Sequence, residues 1–404
     1  MVPTRFRRTT GRRTVRRTWS ALVSALALGA VALAGAPAAH AGPQPVPWVY
    51  YVGDDGALWG FTQQTDGSWT TAAPQGPTGQ TLPGGHVAAT RIAGGLPSVF
   101  FVGVDGAVYQ DCPLLTKPVA VTATRLAPPG AAITAEVVGG QITVTAARQI
   151  PQGKAVAAAP RTPPALAPAA APHEISNPCS PPVNVRFNTS STYAGGAMTS
   201  VGTSGGYHDV LFVDTAGAVR VQWQGPQGST LSEKALTAPG TAKPGGGVTA
   251  VNTQGLGLPG SALTLFFTGH DGRVRVAHTT EQGSLTGSVQ PNTTGTADAP
   301  DGAPLSAVAG AKGLAVGYAA SDGAFSVAYL TPTGAWQKTF RTGAAGDFAS
   351  GAPSAATAAA DGDYDWYCGN GLRVPVHLHG PLPGPKWVDV GLPNVVVGAS
   401  FAAV

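Results

Sequence analysis

The chain has 404 residues, with 24 Lys and Arg against 20 Asp and Glu, for a formal net charge of +4. Seven arginines (Arg5, Arg7, Arg8, Arg12, Arg13, Arg16, Arg17) fall in the first 19 residues, which hold no acid, so the rest balances at 17 − 20 = −3. Without a basic excess the body of the chain has no electrostatic hold on a phosphate backbone, which sets nucleic-acid binding aside.

In chain order, the first element is a leader. The arginines precede the apolar run ALVSALALGAVALAGA (21–36) and the segment AHAG (39–42). A basic stretch, a short apolar stretch and an A-x-A site are the parts of a secretory signal peptide, with cleavage expected after Ala41. A membrane anchor is the alternative, but the run has 16 residues, short of the roughly 20 that span a bilayer. Export by the general or the twin-arginine route stays open, because Arg16-Arg17 precedes the run. The mature protein is expected outside the cell, with no stable membrane insertion.

Beyond residue 46 one phrase recurs. It reads YVGDDGALW (51–59), FVGVDGAVY (101–109), FVDTAGAVR (212–220), FTGHDGRVR (267–275), YAASDGAFS (318–326) and, worn, YCGNGLRV (367–374). The turn glycines Gly56, Gly106, Gly217, Gly272, Gly323 and Gly371 are 48 to 55 residues apart, except for a gap of 111 after Gly106. A degraded copy, ITVTAARQIPQGKAV (142–156) with its turn at Gly153, is expected to fill that gap. An Asp-Gly pair between two strand-forming runs is a hairpin signal, since Gly accepts a positive φ. Only four glutamates occur (Glu136, Glu174, Glu233, Glu281), which also favours strands over long helices.

A small-residue phrase precedes most copies: PGGHVAAT (83–90), PGAAITAE (129–136), AGGAMTSV (194–201), PGGGVTAV (244–251), DGAPLSAV (301–308) and SGAPSAAT (350–357). It suits the crowded innermost strand of a propeller blade. DGSWTTA (66–72), TGAWQKT (333–339) and GPKWVDV (384–390) supply an outer strand with a Trp. Four strands in about 50 residues match a β-propeller; a solenoid or separate hairpins are the alternatives. The first copy has no small-residue strand before it, and an extra one, VVVGASFAAV (395–404), ends the chain. The expectation is an all-β, seven-bladed propeller over 47–404 with four-stranded antiparallel blades. Gly398–Val404 would close the ring as the inner strand of the first blade, removing an open sheet edge.

Residues 150–182 are dominated by Pro and Ala and read as a loop inserted in the third blade. Three cysteines, Cys112, Cys179 and Cys368, allow three pairings. Cys112–Cys179 is the expected bridge, tethering the insertion and leaving Cys368 as a buried thiol.

The hairpin phrase and the small-residue strand together resemble the PLL-like fucose-binding propeller lectins of bacteria and, more distantly, tectonin-type propellers, over nearly all of 47–404. The resemblance implies sugar binding between adjacent blades by aromatic and polar side chains repeated from blade to blade. This sequence departs from that repetition. Three residues past the turn glycine stand Trp59, Tyr109, Arg220, Arg275 and Ser326; six past stand Thr62, Cys112, Trp223, His278, Tyr329 and His377.

The candidate carbohydrate-binding residues are Trp59, Tyr109, Arg220, Trp223 and Arg275, which offer an aromatic face and aimed donors; packing between blades is the bland account of each. A hydrolase would need two carboxylates across one cleft. Yet Asp54, Asp55, Asp66, Asp105, Asp271 and Asp322 sit in turns, where such side chains bond their own backbone. TDGSW (65–69) lacks one residue of a sialidase Asp-box. No catalytic residue is assigned. His377 and His379 lie at i and i+2 of a strand without an evident third ligand, and DGD (361–363) is read as a turn, so no metal or other cofactor is expected. The sequence reads as a secreted, non-enzymatic module for glycans or cell-surface polysaccharide. The alternatives are a protein-binding scaffold and, behind it, a glycoside hydrolase.

Overall fold

The computed structural model describes residues 46–148, 183–188, 196–369, 375–379, 388–389 and 401–403, less 65, 67, 92–94, 139, 204–205, 227–229, 255, 257, 259–260, 311–312, 332 and 360–362. The leader, the 150–182 insertion with Gly153 and Cys179, Gly371 and the side chains of His377 and His379 lie outside the described residues.

No α-helix occurs among the described residues. Sheet 1 holds β1 (Trp48–Val52), β2 (Leu58–Thr62) and β3 (Ala73–Pro74), and sheet 2 holds β4 (Val87–Arg91), β5 (Pro97–Val102), β6 (Val108–Asp111) and β7 (Val119–Ala120). Sheet 3 holds β8 (Ile133–Val138), β9 (Gln141–Ala147) and β10 (Val183–Asn188). Sheet 4 holds β11 (Met198–Gly202), β12 (His208–Val213), β13 (Val219–Gln224) and β14 (Thr230–Ala235). Sheet 5 holds β15 (Val248–Asn252), β16 (Leu263–Thr268), β17 (Val274–Thr279) and β18 (Gln290–Pro291). Sheet 6 holds β19 (Ser306–Gly310), β20 (Gly313–Ala319), β21 (Phe325–Leu330) and β22 (Trp336–Thr342). Sheet 7 holds β23 (Ser354–Ala358), β24 (Tyr364–Gly369), β25 (Pro375–His379) and β26 (Val388–Asp389). The last strand, β27 (Phe401–Ala403), runs antiparallel to β1 with Ala402 opposite Tyr50. Six of these sheets are four-stranded and antiparallel, and the arrangement is a β-propeller.

All six small-residue phrases become innermost strands (β4, β8, β11, β15, β19, β23), each lying beside the innermost strand of the next sheet. Short side chains permit that approach, and hydroxyls tie it: Thr134 Oγ1 lies 2.8 Å from Ser200 Oγ, and Ser306 Oγ lies 2.6 Å from Ser354 Oγ. The second strands β5, β12 and β16 are buried along their whole length, because neighbouring sheets cover both faces. Their sequences therefore read as near-continuous apolar runs rather than alternations. Full burial of Phe100 or Phe101, both 0% exposed, contributes about 2–3 kcal/mol each by area.

The hairpin phrase folds as its composition requires. In the first copy Gly53 N donates to Ala57 O at 3.0 Å, Gly56 N donates to Gly53 O at 3.2 Å, and Asp55 Oδ1 accepts from Ala57 N at 2.9 Å. Gly56 has φ +68°, and a Cβ there would lie 2.5 Å from Thr81 O. The segment leading into the next sheet causes this crowding, since Thr81 N donates to Gly56 O. The same bond recurs from Ala127 to Gly106, Ala242 to Gly217, Ala299 to Gly272 and Phe348 to Gly323. The turn glycine is thus needed for its backbone and for its lack of a side chain.

Sheet 3 departs from the expected pattern. Its first two strands pair as in the other sheets. The third place is taken by β10, which follows the insertion and pairs parallel to β9, Val185 opposite Val144. A strand returning after about 35 residues can enter from either end, whereas a tight turn forces antiparallel pairing. Of the Trp phrases, the second behaves as expected, with Trp336 opening the outer strand β22, while in the first Trp69 precedes the outer strand β3 and pairs with Gln63 in an isolated bridge.

Gly217 and Gly240 have nearly the same φ (+75° and +72°), but a Cβ at Gly240 meets nothing within 4 Å, whereas one at Gly217 runs into Ala242 O. Urea denaturation should show Gly240→Ala costing about 1 kcal/mol of backbone strain and Gly217→Ala costing clearly more, about 2–3 kcal/mol. Equal costs would show that the crowding across the turn is unimportant.

Candidate functional site

Four of the five candidates occupy one structural position. Trp59, Tyr109, Arg220 and Arg275 stand on the strand after the turn and fold back over it. Trp59 Nε1 donates to Asp55 Oδ1 at 3.2 Å, and Tyr109 OH donates to Asp105 Oδ2 at 3.1 Å. Arg275 Nη2 donates to Asp271 Oδ2 at 2.7 Å; Arg220 donates through Nη1 to Asp214 Oδ2 at 3.4 Å and through Nε to Glu233 Oε1 at 2.7 Å. For three of them room comes from the first residue of the turn, because a Cβ at Gly53, Gly103 or Gly269 would collide with the overlying Trp59, Tyr109 or Arg275; beneath Arg220 that residue is Asp214, the acid it bonds. Where that glycine is Ala320, the matching residue is the small Ser326, and Arg341 reaches Asp322 from β22 instead. The turn acids therefore bond their own backbone, as read from sequence, and also hold the residue that covers the turn. All four side chains are half-buried, and they stand in four sheets or on separate strands, so the structure does not bring them together as one site.

Trp223 lies at the opposite end of its blade. Its indole is half-buried and stacks on Tyr207, ring centroids 5.2 Å apart and planes 18° from parallel. Asp209 is its cross-strand partner, and successive strand residues alternate faces, so Tyr207, Asp209 and Trp223 share the face turned to sheet 5. Asp209 is 0% exposed. Neither of its carboxylate oxygens nor Trp223 Nε1 has a hydrogen-bond partner among the described residues. Burial, and then the charge of Glu281, push the Asp209 carboxyl up to about 8. Sheet 5 brings up two loops, joined where Gln254 Nε2 donates to Glu281 Oε1. Lys234 of sheet 4 spans the same boundary, donating to Ser284 Oγ at 2.8 Å and to Gln282 O at 3.3 Å. The result is a half-exposed aromatic platform with carboxyl, amide and ammonium groups beside it.

The equivalent described places elsewhere are built differently. His278 bonds Thr264 (Nδ1 to Oγ1, 2.9 Å), and its ring sits so close to Gly334 that a Cβ there would lie 2.7 Å from Nε2. Tyr329 packs edge-on against Phe340 at 5.5 Å, and Cys112 is 2% exposed. Trp69 meets Tyr367 of sheet 7 at 5.6 Å, and Trp336 meets Phe266 of sheet 5 at 6.1 Å, so both of these outer tryptophans pack between sheets. Tyr207, Asp209, Lys234 and Glu281 escaped the sequence reading. The available signal was Asp209 itself, an acid inside the buried run HDVLFV rather than in a turn.

Two other buried acids lie at sheet boundaries. Glu136 on β8 is pushed up to about 8 by burial, only partly offset by the Arg186 charge, and Asp111 on β6 is pushed up to about 7 by burial. Burial, followed by the charge of Arg186, takes His208 down to about 4. Among the described residues no three metal-ligating side chains converge, and no helix is long and apolar enough to cross a membrane.

No family model matches the chain, and no curated protein does. Among solved structures it is similar to the BP39L lectin from Burkholderia pseudomallei, with 21% identity and a TM-score of 0.64 over 86% of this chain and 94% of that one. The fold is that of a β-propeller. An arginine triple mutant of AofleA from Arthrobotrys oligospora aligns at 15% identity and a TM-score of 0.50, over 81% of this chain and 90% of that one. The fucose-specific lectin from Aleuria aurantia aligns at 12% identity and 0.41, over 84% and 91%.

Folded Glu136, Asp209 and Asp111 keep their protons to higher pH than the unfolded chain, whose carboxyls titrate near 3.8 to 4.5. Their stabilisation is complete below that range and is lost as pH rises through about 7 to 8. His208 works oppositely, adding stability as pH rises from about 4 to 6.5, and is constant above that. Thermal melts from pH 6.5 to 9 should therefore show Tm falling, and Glu136→Gln or Asp209→Asn should flatten the slope. A rising Tm across that window would contradict the buried, protonated state of these acids.

Proposed function

We propose that this protein is a secreted, non-catalytic carbohydrate-binding propeller of seven blades, closed by β27 beside β1 and exported by cleavage after Ala41. The neighbours of β27 support the closure: it lies beside β23 and β4 as well as pairing with β1, and an apolar cluster joins Val49, Tyr51 and Phe61 of sheet 1 to Ala355 and Tyr367 of sheet 7. The composition of the first 41 residues supports export.

The observation that carries the binding reading is the Tyr207–Trp223 stack, half-exposed at the boundary of sheets 4 and 5 with Asp209 and Glu281 beside it. An aromatic face matches the C–H side of a pyranose, and the flanking polar groups match its hydroxyls. The likeness of the fold to a lectin agrees with this. Trp59, Tyr109, Arg220 and Arg275 are proposed as secondary contacts, since each is half-exposed beside a turn carboxylate. Separate weak sites on one ring would gain avidity on a glycan-coated surface. The fucose-binding resemblance makes fucosylated glycans the first probes.

A glycan array with the exported protein should return discrete hits, and Trp223→Ala should weaken a hit at least about 10-fold, the scale of a truncated aromatic anchor. A blank array would favour a protein-binding scaffold. The Cys112–Cys179 bridge belongs to the same extracellular reading. Cys368 is a free cysteine at 0% exposure, and burial raises its thiol well above the usual value. Peptide mapping should find Cys112 joined to Cys179 and Cys368 alkylated only after unfolding; alkylation of Cys112 in the native protein would remove the bridge.

A further inference from the structure

The boundary between sheets 3 and 4 is built differently from the others. Apolar clusters join sheets 1 and 2, 2 and 3, 4 and 5, 5 and 6, 6 and 7, and 7 and 1. Between sheets 3 and 4 only Met198 of sheet 4 joins such a cluster among the described residues, and a polar chain takes up the rest. Gln224 Nε2 donates to Gln222 Oε1 at 2.7 Å, Arg186 Nη1 donates to Gln224 Oε1 at 3.1 Å, and the same Nη1 lies 2.9 Å from His208 Nε2. Arg186 Nη2 adds a bond to Pro226 O at 3.4 Å, and Glu136 Oε1 lies 4.0 Å from His208 Nε2.

We propose that Arg186 is a positioning residue for the Tyr207–Trp223 platform, clamping the end of the β12–β13 ladder from the face opposite to it. The consequence for glycan affinity rests on the binding reading given above; the clamp itself does not.

His208 and Gln224 are cross-strand partners, one on each strand of the ladder, and Arg186 holds both. Their immediate neighbours in sequence are Tyr207, Asp209 and Trp223. Alternation sends His208 and Gln224 toward sheet 3 and these neighbours toward sheet 5. The β12–β13 pairing is regular here, but on its other edge β13 shifts register against β14 between Trp223 and Gln224. An irregularity of this kind re-aims side chains, so holding the residue beside it fixes where the indole points. The planar guanidinium reaches three acceptors on two strands and a loop at once, which an ammonium cannot do.

Its charged surroundings suit the task. Glu136 on β8 and His208 and Asp209 on β12 are the titratable groups around it, and burial keeps His208 neutral, able to accept at Nε2. The clamp also fits the unusual route of β10. A parallel edge strand that arrives without a hairpin has only its ladder to locate it, and Arg186 adds side-chain bonds to the next sheet.

The test compares the full chain with Arg186→Met, Arg186→Lys and Gln224→Met. The signal of Trp223 is isolated as the near-ultraviolet circular dichroism of each protein minus that of its Trp223→Phe counterpart. Arg186→Met should change this difference spectrum and weaken the strongest array glycan about 10-fold, within the usual range of coupling between sites. Arg186→Lys should restore neither fully, and Gln224→Met, which removes one arm, should shift the spectrum less in the same direction. Gly240→Ala, a destabilising change elsewhere in the molecule, should leave the spectrum unmoved. A difference spectrum unchanged in Arg186→Met, or moved equally by Gly240→Ala, overturns the proposal. If Arg186→Met does not fold, Gln224→Met decides on the same criterion. If the unsubstituted protein binds no glycan, the binding reading fails, while a moved spectrum still upholds the clamp and an unmoved one removes it.

Discussion

The propeller depends on one hydrogen-bonded crossing, repeated along the chain: the carbonyl of each described turn glycine accepts a bond from the segment that leads into the next sheet. This bond fixes where the following blade begins, so the hairpin that ends one pair of strands also places the next innermost strand. Its geometry leaves no space for a Cβ and demands a positive φ, which only glycine supplies without strain. The periodic glycines are therefore markers of contact between blades as well as of local turns.

A second constraint follows at the same turns. The first turn residue and the residue six positions later vary together within this chain, glycine beneath Trp59, Tyr109 and Arg275, Asp214 beneath its ion-pair partner Arg220, and alanine opposite Ser326. This is mutual packing, with the turn carboxylate accepting from whichever donor lies above it. Diversity at Trp59, Tyr109, Arg220 and Arg275 consequently fits several ways of covering a turn as well as it fits ligand choice. At the far end of the blades the equivalent described positions hold Thr62, Cys112, His278 and Tyr329, of which Cys112 is buried and the others, like Trp223, are half-buried. Two unlike ends thus arise from one repeat, the turn end held by local bonds and the other end left to inter-sheet packing.

Sheet 3 shows what happens when the repeat is interrupted. Without a hairpin to deliver its third strand, the sheet takes one in parallel, and its contact with sheet 4 becomes polar. Buried polar networks are favourable only when their members find partners. His208 and Gln224 lie within hydrogen-bond reach of Arg186 Nη1, whereas Arg186 Nε and the Glu136 oxygens lack hydrogen-bond partners among the described residues, and holding its proton is what makes this carboxyl tolerable there.

Turn chemistry and strand pattern are local, and they were legible. Asp55, Asp105, Asp271 and Asp322 bond their turns as the residues suggest, and all six small-residue phrases are innermost strands. The sequence by itself determined an all-β repeat with its strand order, because Gly at positive φ, Asp beside it and β-formers around it act within a few residues of one another. Only the tertiary structure decided the parallel course of β10, the burial of Asp209 and Glu136, the packing of His278 beside Gly334 and the joining of Arg186 to His208 and Gln224. Those outcomes depend on which side chains from different sheets meet across a boundary, and no local spacing in the chain encodes that meeting.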